Sequence, residues 1–354
     1  DGTLILLVDH EGTWQLGQID PAHPGQMTPL TTGAGWLWGF HTSGGTTVGL
    51  ATAADRPSEL WQLELGGELV PLAWDDPAGK RFLTGHNAGF EDDVRRATPR
   101  RAWVESPSGA RIQVWYYPPA WTSKVRPPPL VVTLHGGPQW CFGERWDPEI
   151  QALAGAGYAV LAVNFTGSLG YGQAFVDAIR GDWGGAPYQD LVAAVDWAVD
   201  NHLGDPARLG ITGGSYGGFL AGYAIGQTDR FGAAVLARAV TEQVSEYGTS
   251  DEQFFAEWDL EGTPWSNPDG YARWSPLTYA PQIKTPTMLV HSENDVRVPL
   301  NQAEQLFTAL IVHGVEAELV VFPGEGHGLS RSGTPVHRRE RLRHMIRWFD
   351  EHLK

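Results

Sequence analysis

The chain has 354 residues, 42% of them hydrophobic and 19% charged, with 44 Gly and 25 Pro; this is room for a large core and for more than one domain. A formal net charge of −16 sets it against nucleic acid and anionic membrane surfaces as partners. No apolar run approaches the roughly 18 residues of a membrane span, and the single cysteine, Cys141, excludes a disulfide within the chain and suits a reducing, cytoplasmic compartment.

The first residue is Asp1 rather than Met, so upstream residues are expected to have been removed or to lie outside this sequence. Residues 1–97 carry short apolar runs, Leu4–Val8, Trp14–Leu16, Thr47–Leu50 and Leu60–Leu65, separated by Asp-Gly, Glu-Gly, Gly-Gly and Pro-containing turns. That spacing predicts antiparallel strands and no substantial helix. Trp61–Val70 reads as a hairpin about Gly66-Gly67. Strands with recurring Trp and Gly suggest propeller blades, of which roughly 97 residues hold about two at roughly 40–50 residues each. Two blades cannot close a ring.

From residue 98 the pattern changes to alternating strands and helices, the α/β manner. Strands are predicted at Arg111–Tyr117, Leu130–Leu134, Tyr158–Phe165, Leu209–Thr212, Ala233–Ala237, Thr287–His291 and Glu318–Phe322. Most are continuously apolar, which implies a sheet buried on both faces. Helices are predicted at Leu191–Val199, with Asp190 and Asp196 on its wet side, at Phe219–Ile225 and at Arg339–Leu353.

The stretch that organises the rest is Gly213-Gly214-Ser215-Tyr216-Gly217-Gly218, set between an apolar strand and an apolar helix. This is the sequence form of a nucleophile elbow, with Ser215 at its apex and glycines where strand and helix pack closely. A serine hydroxyl needs a base to take its proton, and that base is a histidine held in one tautomer by an acid. In this fold class the order is Ser, acid, His. Asp295, in the loop leaving the Thr287–His291 strand, is the acid, with Glu293 as its rival. His327 lies between glycines in the loop after the next strand and fits better than His291, His313, His337 or His344. Oxyanion donors are expected from the backbone amide of Tyr216 and from the loop His135-Gly136-Gly137-Pro138 after an early strand.

His135–Pro138, the Gly213–Gly218 elbow, Ser292-Glu-Asn-Asp295 with Val298-Pro299, Gly326–Gly333, Asn164–Gly172 and Gly181–Gly185 together resemble the prolyl oligopeptidase family, and within it the acylaminoacyl peptidase branch. The resemblance spans about residues 98–354. It implies an α/β-hydrolase domain (98–354) with Ser215, Asp295 and His327 as catalytic residues and the amides of Gly137 and Tyr216 as oxyanion donors. It also implies a seven-bladed propeller that admits only small peptides, residues 1–97 being the end of a longer propeller. Short peptides are then the substrates, and the remaining blades are expected in a missing segment or a companion chain. A homo-oligomer is expected, and neither cofactor nor metal.

One feature departs from relatives in that family, and another follows one of its branches. Prolyl oligopeptidase and the dipeptidyl peptidases use a tyrosine side chain as an early-loop oxyanion donor, whereas this chain has His135 and glycines there. Arg297, two residues after Asp295, resembles an Asp-x-Arg feature of the acylaminoacyl branch and is expected to serve substrate, with an ion pair as the other reading. Release of an N-acylated N-terminal residue is the expected activity. Carboxypeptidase action would need an arginine such as Arg297 or Arg238 to receive a substrate carboxylate. A dipeptidyl-type peptidase and an esterase without a propeller gate are the other readings. Cys141 is expected to be a small buried residue, and Trp140, Trp146, Trp183, Trp258 and Trp265 are candidates to line an apolar pocket.

Overall fold

A computed structural model describes residues 2–64, 72–73, 81–121 and 127–354. The chain forms two compact units. The first runs up to Pro99 and also takes Cys141–Pro148 and Leu169–Tyr171; the second holds Arg100–Trp140, Glu149–Ser168 and Gly172–Lys354. The two excursions have visible anchors in the first unit: Glu144 donates its amide to Gly12 O at 2.8 Å, and Glu11 donates to Gly170 O at 3.0 Å.

The first unit contains β1 (Leu4–His10), β2 (Thr13–Ile19), β3 (Met27–Pro29), β4 (Thr31–Thr32), β5 (Trp36–Ser43), β6 (Thr46–Ala53), β7 (Arg56–Glu64), β8 (Leu72–Ala73), β9 (Arg81–Phe82) and a single helical turn, α1 (Phe90–Asp93). Its main sheet runs β1-β2-β5-β6-β7-β9 with β3 on β2, and β4 pairs with β8. The turn chemistry explains the tight hairpins. His10 faces Thr13 across Glu11 and Gly12, both at positive φ (46° and 76°), and Ser43 faces Thr46 across Gly44 and Gly45 (59° and 80°). Positive φ at both central residues is the type I′ geometry whose twist matches paired strands. Leu16, Leu30, Leu37 and Trp61 form the small core, and Trp14 stacks on Trp36 at 5.0 Å. The strand-rich reading is met, and the sheet is compatible with part of a propeller. The turn of the Trp61–Val70 hairpin lies outside the described residues.

The second unit is an α/β-hydrolase fold. Its strands are β10 (Arg100–Glu105), β11 (Arg111–Tyr117), β12 (Leu130–Leu134), β13 (Ala159–Asn164), β14 (Leu209–Gly214), β15 (Ala233–Ala237), β16 (Thr287–Ser292) and β17 (Ala317–Phe322). They are ordered β10-β11-β13-β12-β14-β15-β16-β17. The first three pair antiparallel and the remainder parallel. Between the strands lie α2 (Pro148–Gly155), α3 (Gln173–Asp177), α4 (Gly185–Asp200), α5 (Tyr216–Gln227), α6 (Gln243–Thr249), α7 (Gln253–Asp259), α8 (Pro268–Arg273), a 3₁₀ turn at Pro276–Gln282, α9 (Asn301–Val312), α10 (Leu329–Ser332) and α11 (Pro335–Leu353).

Every residue of β12, β13, β15 and β16 is buried, as their continuous apolar character requires. Helices α5 and α11 both pack on β14 and β15, from opposite faces. A Cβ at Gly210 would meet Phe349 and Leu353 of α11 at 2.8 Å, while one at Gly213, three residues on and hence on the other face, would meet Gly217 O of α5 at 2.3 Å. Strand β10 escaped the sequence reading because it is a charged edge strand, Arg-Arg-Ala-Trp-Val-Glu.

One expectation is corrected. Asp196 is exposed and pairs with Arg230 at 2.7 Å, but Asp190 is fully buried. Its Oδ1 accepts from Ser108 Oγ at 2.7 Å, and its Oδ2 accepts from the amide and hydroxyl of Thr166 at 2.7 and 2.6 Å. A carboxylate with three donors around it is stable inside the fold, and this one ties the loop after β13 to the β10–β11 turn.

Candidate active site

Two adjacent parallel strands, β12 and β14, end side by side and deliver the loop 135–138 and the elbow. The elbow is built as its glycines dictate. Ser215 sits at φ 60°, ψ −123°, between the end of β14 and the first residue of α5. Such a backbone costs about 1–3 kcal/mol and persists only where the surroundings hold it. Here Ser215 N donates to Ala237 O of β15 at 3.0 Å, and Ser215 O accepts from Phe219 of α5 at 2.9 Å. A Cβ at Gly217 would stand 2.1 Å from Leu134 O, so only glycine lets the helix start this close to β12.

The three dispersed residues converge. His327 Nε2 lies 3.1 Å from Ser215 Oγ, and His327 Nδ1 lies 2.8 Å from Asp295 Oδ2. Asp295 is 4% exposed. Its Oδ1 accepts the amides of Arg297 at 3.1 Å and Val298 at 3.0 Å, which turns Oδ2 to the imidazole. With Nδ1–H donating to the carboxylate, Nε2 is left to accept the serine proton. Burial pulls the His327 imidazole below its ordinary 6.5; the Asp295 hydrogen bond opposes this, while the positive charges of Arg238 and Arg331 add to it. A base of this kind is neutral, and therefore usable, at pH 7.

The loop His135–Pro138 abuts the nucleophile: a Cβ on Gly136 would lie 3.3 Å from Ser215 Cβ. His135 is buried, stacked on Phe165 at 4.3 Å, with Nε2 2.8 Å from Ser168 Oγ, so its ring holds the loop rather than facing the serine. The Tyr216 side chain also points inward. Its hydroxyl donates to Trp183 O, and its ring meets Trp183 edge-on at 5.0 Å. Gly137 and Tyr216 therefore have only their amides to offer a bound oxyanion.

Arg297 is held in an ion pair, the second of the two readings given for it. Its Nε donates to Asp251 at 2.7 Å and its Nη1 pairs with Glu252 at 2.8 Å, and the Asp251 bond is the first cause holding its charge firmly in place. With both faces of the fork taken by carboxylates, the residue ties the acid loop to the α6–α7 connection. Arg238 has no carboxylate partner among the described residues. The tryptophans divide: Trp183 is buried beside the elbow, whereas Trp258 and Trp265 are exposed, with Arg180 over Trp258 and Tyr247 edge-on to Trp265. Trp146 belongs to the first unit, edge-on to Phe90. Cys141 is buried, and burial pushes its thiol up to about 12.

Several supporting groups were not apparent in the sequence. His291, set aside above as a strand residue, donates from Nε2 to Val298 O at 2.8 Å and closes the acid loop. Glu293, the rival acid, accepts the Gly324 amide at 2.8 Å instead of facing His327. Glu325 accepts Thr334 N, Thr334 Oγ1 and His337 Nδ1 at 2.9, 2.9 and 2.7 Å, which anchors the histidine loop on the start of α11. The position of Glu325 inside the Gly-rich loop that carries His327 was the available signal.

An α/β-hydrolase sheet with serine, histidine and aspartate joined in this way is that of a serine hydrolase. The chain belongs to the prolyl oligopeptidase family, whose family model matches residues 145–354. It is 42% identical over 309 residues to "Uncharacterized peptidase YuxL" of Bacillus subtilis, a match covering 86% of this chain and 45% of that one. It is 35% identical over 235 residues to "Dipeptidyl-peptidase 5" of Schizosaccharomyces pombe, covering 64% and 34%. Among solved structures, Pyrococcus horikoshii acylaminoacyl peptidase superposes with a TM-score of 0.90 at 28% identity, over 100% of this chain and 55% of that one. A Mycobacterium tuberculosis puromycin-hydrolyzing peptidase gives 0.86 at 27%, over 99% and 52%. The chain thus spans about half the length of the relatives it matches.

Proposed function

We propose that this chain supplies the catalytic centre of an exopeptidase that hydrolyses short peptides and releases an N-acylated N-terminal residue. The continuous hydrogen-bonded line Ser215–His327–Asp295 carries the reading. Ser215 Oγ attacks the scissile carbonyl carbon as His327 Nε2 takes its proton; Asp295 stabilises the imidazolium that forms. The amides of Gly137 and Tyr216 hold the oxyanion. The proton then passes from His327 to the leaving amine, and water, activated by the same imidazole, hydrolyses the acyl-enzyme. No cofactor enters this sequence.

The N-acyl preference rests on the likeness to acylaminoacyl peptidase and on the backbone-only oxyanion loop. Relatives that bear the name dipeptidyl-peptidase 5 make release of dipeptides from a free N-terminus the competing reading. Propeller gating by residues outside this sequence, self-association and a cytoplasmic location complete the proposal. The test is product analysis by mass spectrometry on one hexapeptide offered with an acetylated and with a free N-terminus. Release of the acetylated first residue supports the proposal. Release of a dipeptide from the free form alone, of C-terminal residues, or cleavage of esters only, replaces it with the corresponding alternative.

A further inference from the structure

Arg238 is the first residue after β15, the strand beside the elbow. Its own amide donates to Val290 O of β16 at 2.8 Å, and the residue before it, Ala237, accepts the Ser215 amide. Arg238 is therefore pinned between the strand that presents the nucleophile and the strand that leads to Asp295. Its backbone stands at φ 42°, in the left-handed region that a non-glycine residue rarely occupies without a functional reason. This conformation lays the side chain back over the elbow. A Cβ on Gly214 would meet Nη2, Cζ and Nη1 at 2.8, 2.9 and 3.0 Å, so the guanidinium rests flat on the residue that precedes Ser215.

What the guanidinium lacks is an anion. Its Nε is buried with no hydrogen-bond partner. Among the described residues no carboxylate pairs with it, although Arg208, Arg297, Arg341 and Arg347 all have one. Arg341 shows the ordinary solution for a buried arginine here, a 2.7 Å bond to Glu149. Burial, and after it the charges of Arg331 and Arg341, pull the Arg238 guanidinium down to about 10, against the weaker pull of Glu149 and Asp295. Two cations and two carboxylates act on it, and the cations act the more strongly. A half-buried cation whose Nε finds no partner among the described residues is costly, and a fold that retains one next to its nucleophile gains when a ligand supplies the missing anion.

Resting on the serine-peptidase reading above, we propose that Arg238 receives a carboxylate of the substrate, held at the elbow next to the scissile bond. The planar fork suits bidentate capture of this group. In a short peptide the carboxylate that lies near the scissile bond is the C-terminus of the leaving residue, and this is the source we assign; an acidic side chain next to the bond has the same chemistry. In the N-acyl-releasing reading the leaving residue carries the C-terminus only when the substrate is an N-acylated dipeptide, and Arg238 thereby makes that class, with its free C-terminus, the preferred one. Arg297, spent on Asp251 and Glu252, takes no part.

The test compares kcat/KM for acetyl-Ala-Ala with a free carboxylate, acetyl-Ala-Ala amide and acetyl-Glu-Ala amide, on the protein as isolated with any further polypeptide it carries. Wild type should favour the free carboxylate over the amide by at least about tenfold, the scale of one charge-assisted hydrogen bond. Arg238→Gln should bring that ratio close to one, and Arg238→Lys, which keeps the charge and loses the fork, should retain part of it. An Arg238-dependent advantage of the glutamate amide alone would overturn the C-terminal assignment in favour of the side chain. Ratios unchanged in Arg238→Gln, or near one in wild type, overturn the proposal. Labelling by a fluorophosphonate separates the two levels: absence of label on wild-type Ser215 sinks the serine-peptidase reading itself, whereas labelled protein with unchanged ratios sinks only the role of Arg238.

Discussion

The amide of Asn294 donates to the carbonyl of Glu325 across 2.9 Å, and so the loop that carries Asp295 is stitched to the loop that carries His327. Two more bonds flank this one, Glu293 N to Phe322 O at 3.0 Å and Gly324 N to Glu293 Oε2 at 2.8 Å. The acid and the base are separated by 32 residues, yet their loops are bonded directly to each other. Preorganisation of this kind is what a proton relay requires, because each bond in it is short and directional.

The relay sets the first prediction. Ser215→Ala should abolish acyl-enzyme formation. Asp295→Asn should leave the fold intact and lower kcat by about 10³–10⁴-fold, because an amide at this position favours the wrong imidazole tautomer. Steady-state kinetics on a short acetylated peptide measures both. An Asn variant within about tenfold of wild type would show that Asp295 does not orient His327.

The second concerns pH. His327 must be neutral to accept the serine proton, and burial moves its titration below 6.5. Rate is therefore retained as pH falls to 6.5 and is lost only below it, as the imidazole gains a proton in the free enzyme. A plot of kcat/KM against pH should show an acidic limb with its midpoint under 6.5. A midpoint above 7 would mean that the Asp295 bond outweighs burial, the reverse of the ordering inferred from the structure.

How much of this was legible beforehand follows from what each residue has to do. The elbow, Asp295 and His327 could be read because an α/β-hydrolase places them in fixed order at strand ends, and because Gly is forced wherever backbones approach within contact. The fully buried strands of the parallel sheet announced themselves through unbroken apolar runs. Asp190 was misplaced because helical spacing assigns faces, whereas Ser108 and Thr166, distant in sequence, supply the donors that make a buried carboxylate stable. The ion pair of Arg297 was one of two readings for the same reason, since nothing local announces that Asp251 and Glu252 lie within reach. Arg238 was legible as a cation but not as an unpaired one. Partnership is a long-range property, and spacing along the chain does not encode it.

The third prediction separates the two possible oxyanion donors of Tyr216. Its hydroxyl is committed to Trp183 O, so the amide alone can serve the reaction. Tyr216→Phe should leave kcat within about threefold of wild type while lowering stability by about 1–3 kcal/mol, the cost of an orphaned buried carbonyl. Were the phenol the donor, kcat would fall by about 10²–10³-fold. Paired measurement of kcat and of the urea midpoint decides between them.

Arg297 gives a fourth. Its bonds to Asp251 and Glu252 lie at a surface where both sides are over one-third exposed, and pairs of that kind contribute about 0–1 kcal/mol. Arg297→Met should thus shift stability little and leave KM for short peptides nearly unchanged. A KM raised tenfold or more, with thermal stability intact, would return Arg297 to the substrate.

The last concerns Glu246, on α6, buried and with no partner for Oε2. Burial, followed by the negative charges of Asp295 and Asp251, raises its carboxyl from the ordinary 4.5 to about 8. Between these two values the folded protein holds a proton that the unfolded chain has released. Stability is therefore complete below 4.5, falls as pH rises through that window, and levels off above about 8. Glu246→Gln copies the protonated acid in shape and removes the titration. The variant should melt with wild type near pH 4.5 and above it at pH 8, by an amount on the order of a few kcal/mol or less. Differential scanning calorimetry across that range makes the comparison. A gap that does not widen with pH would place the Glu246 carboxylate in water, screened from the charges of Asp295 and Asp251.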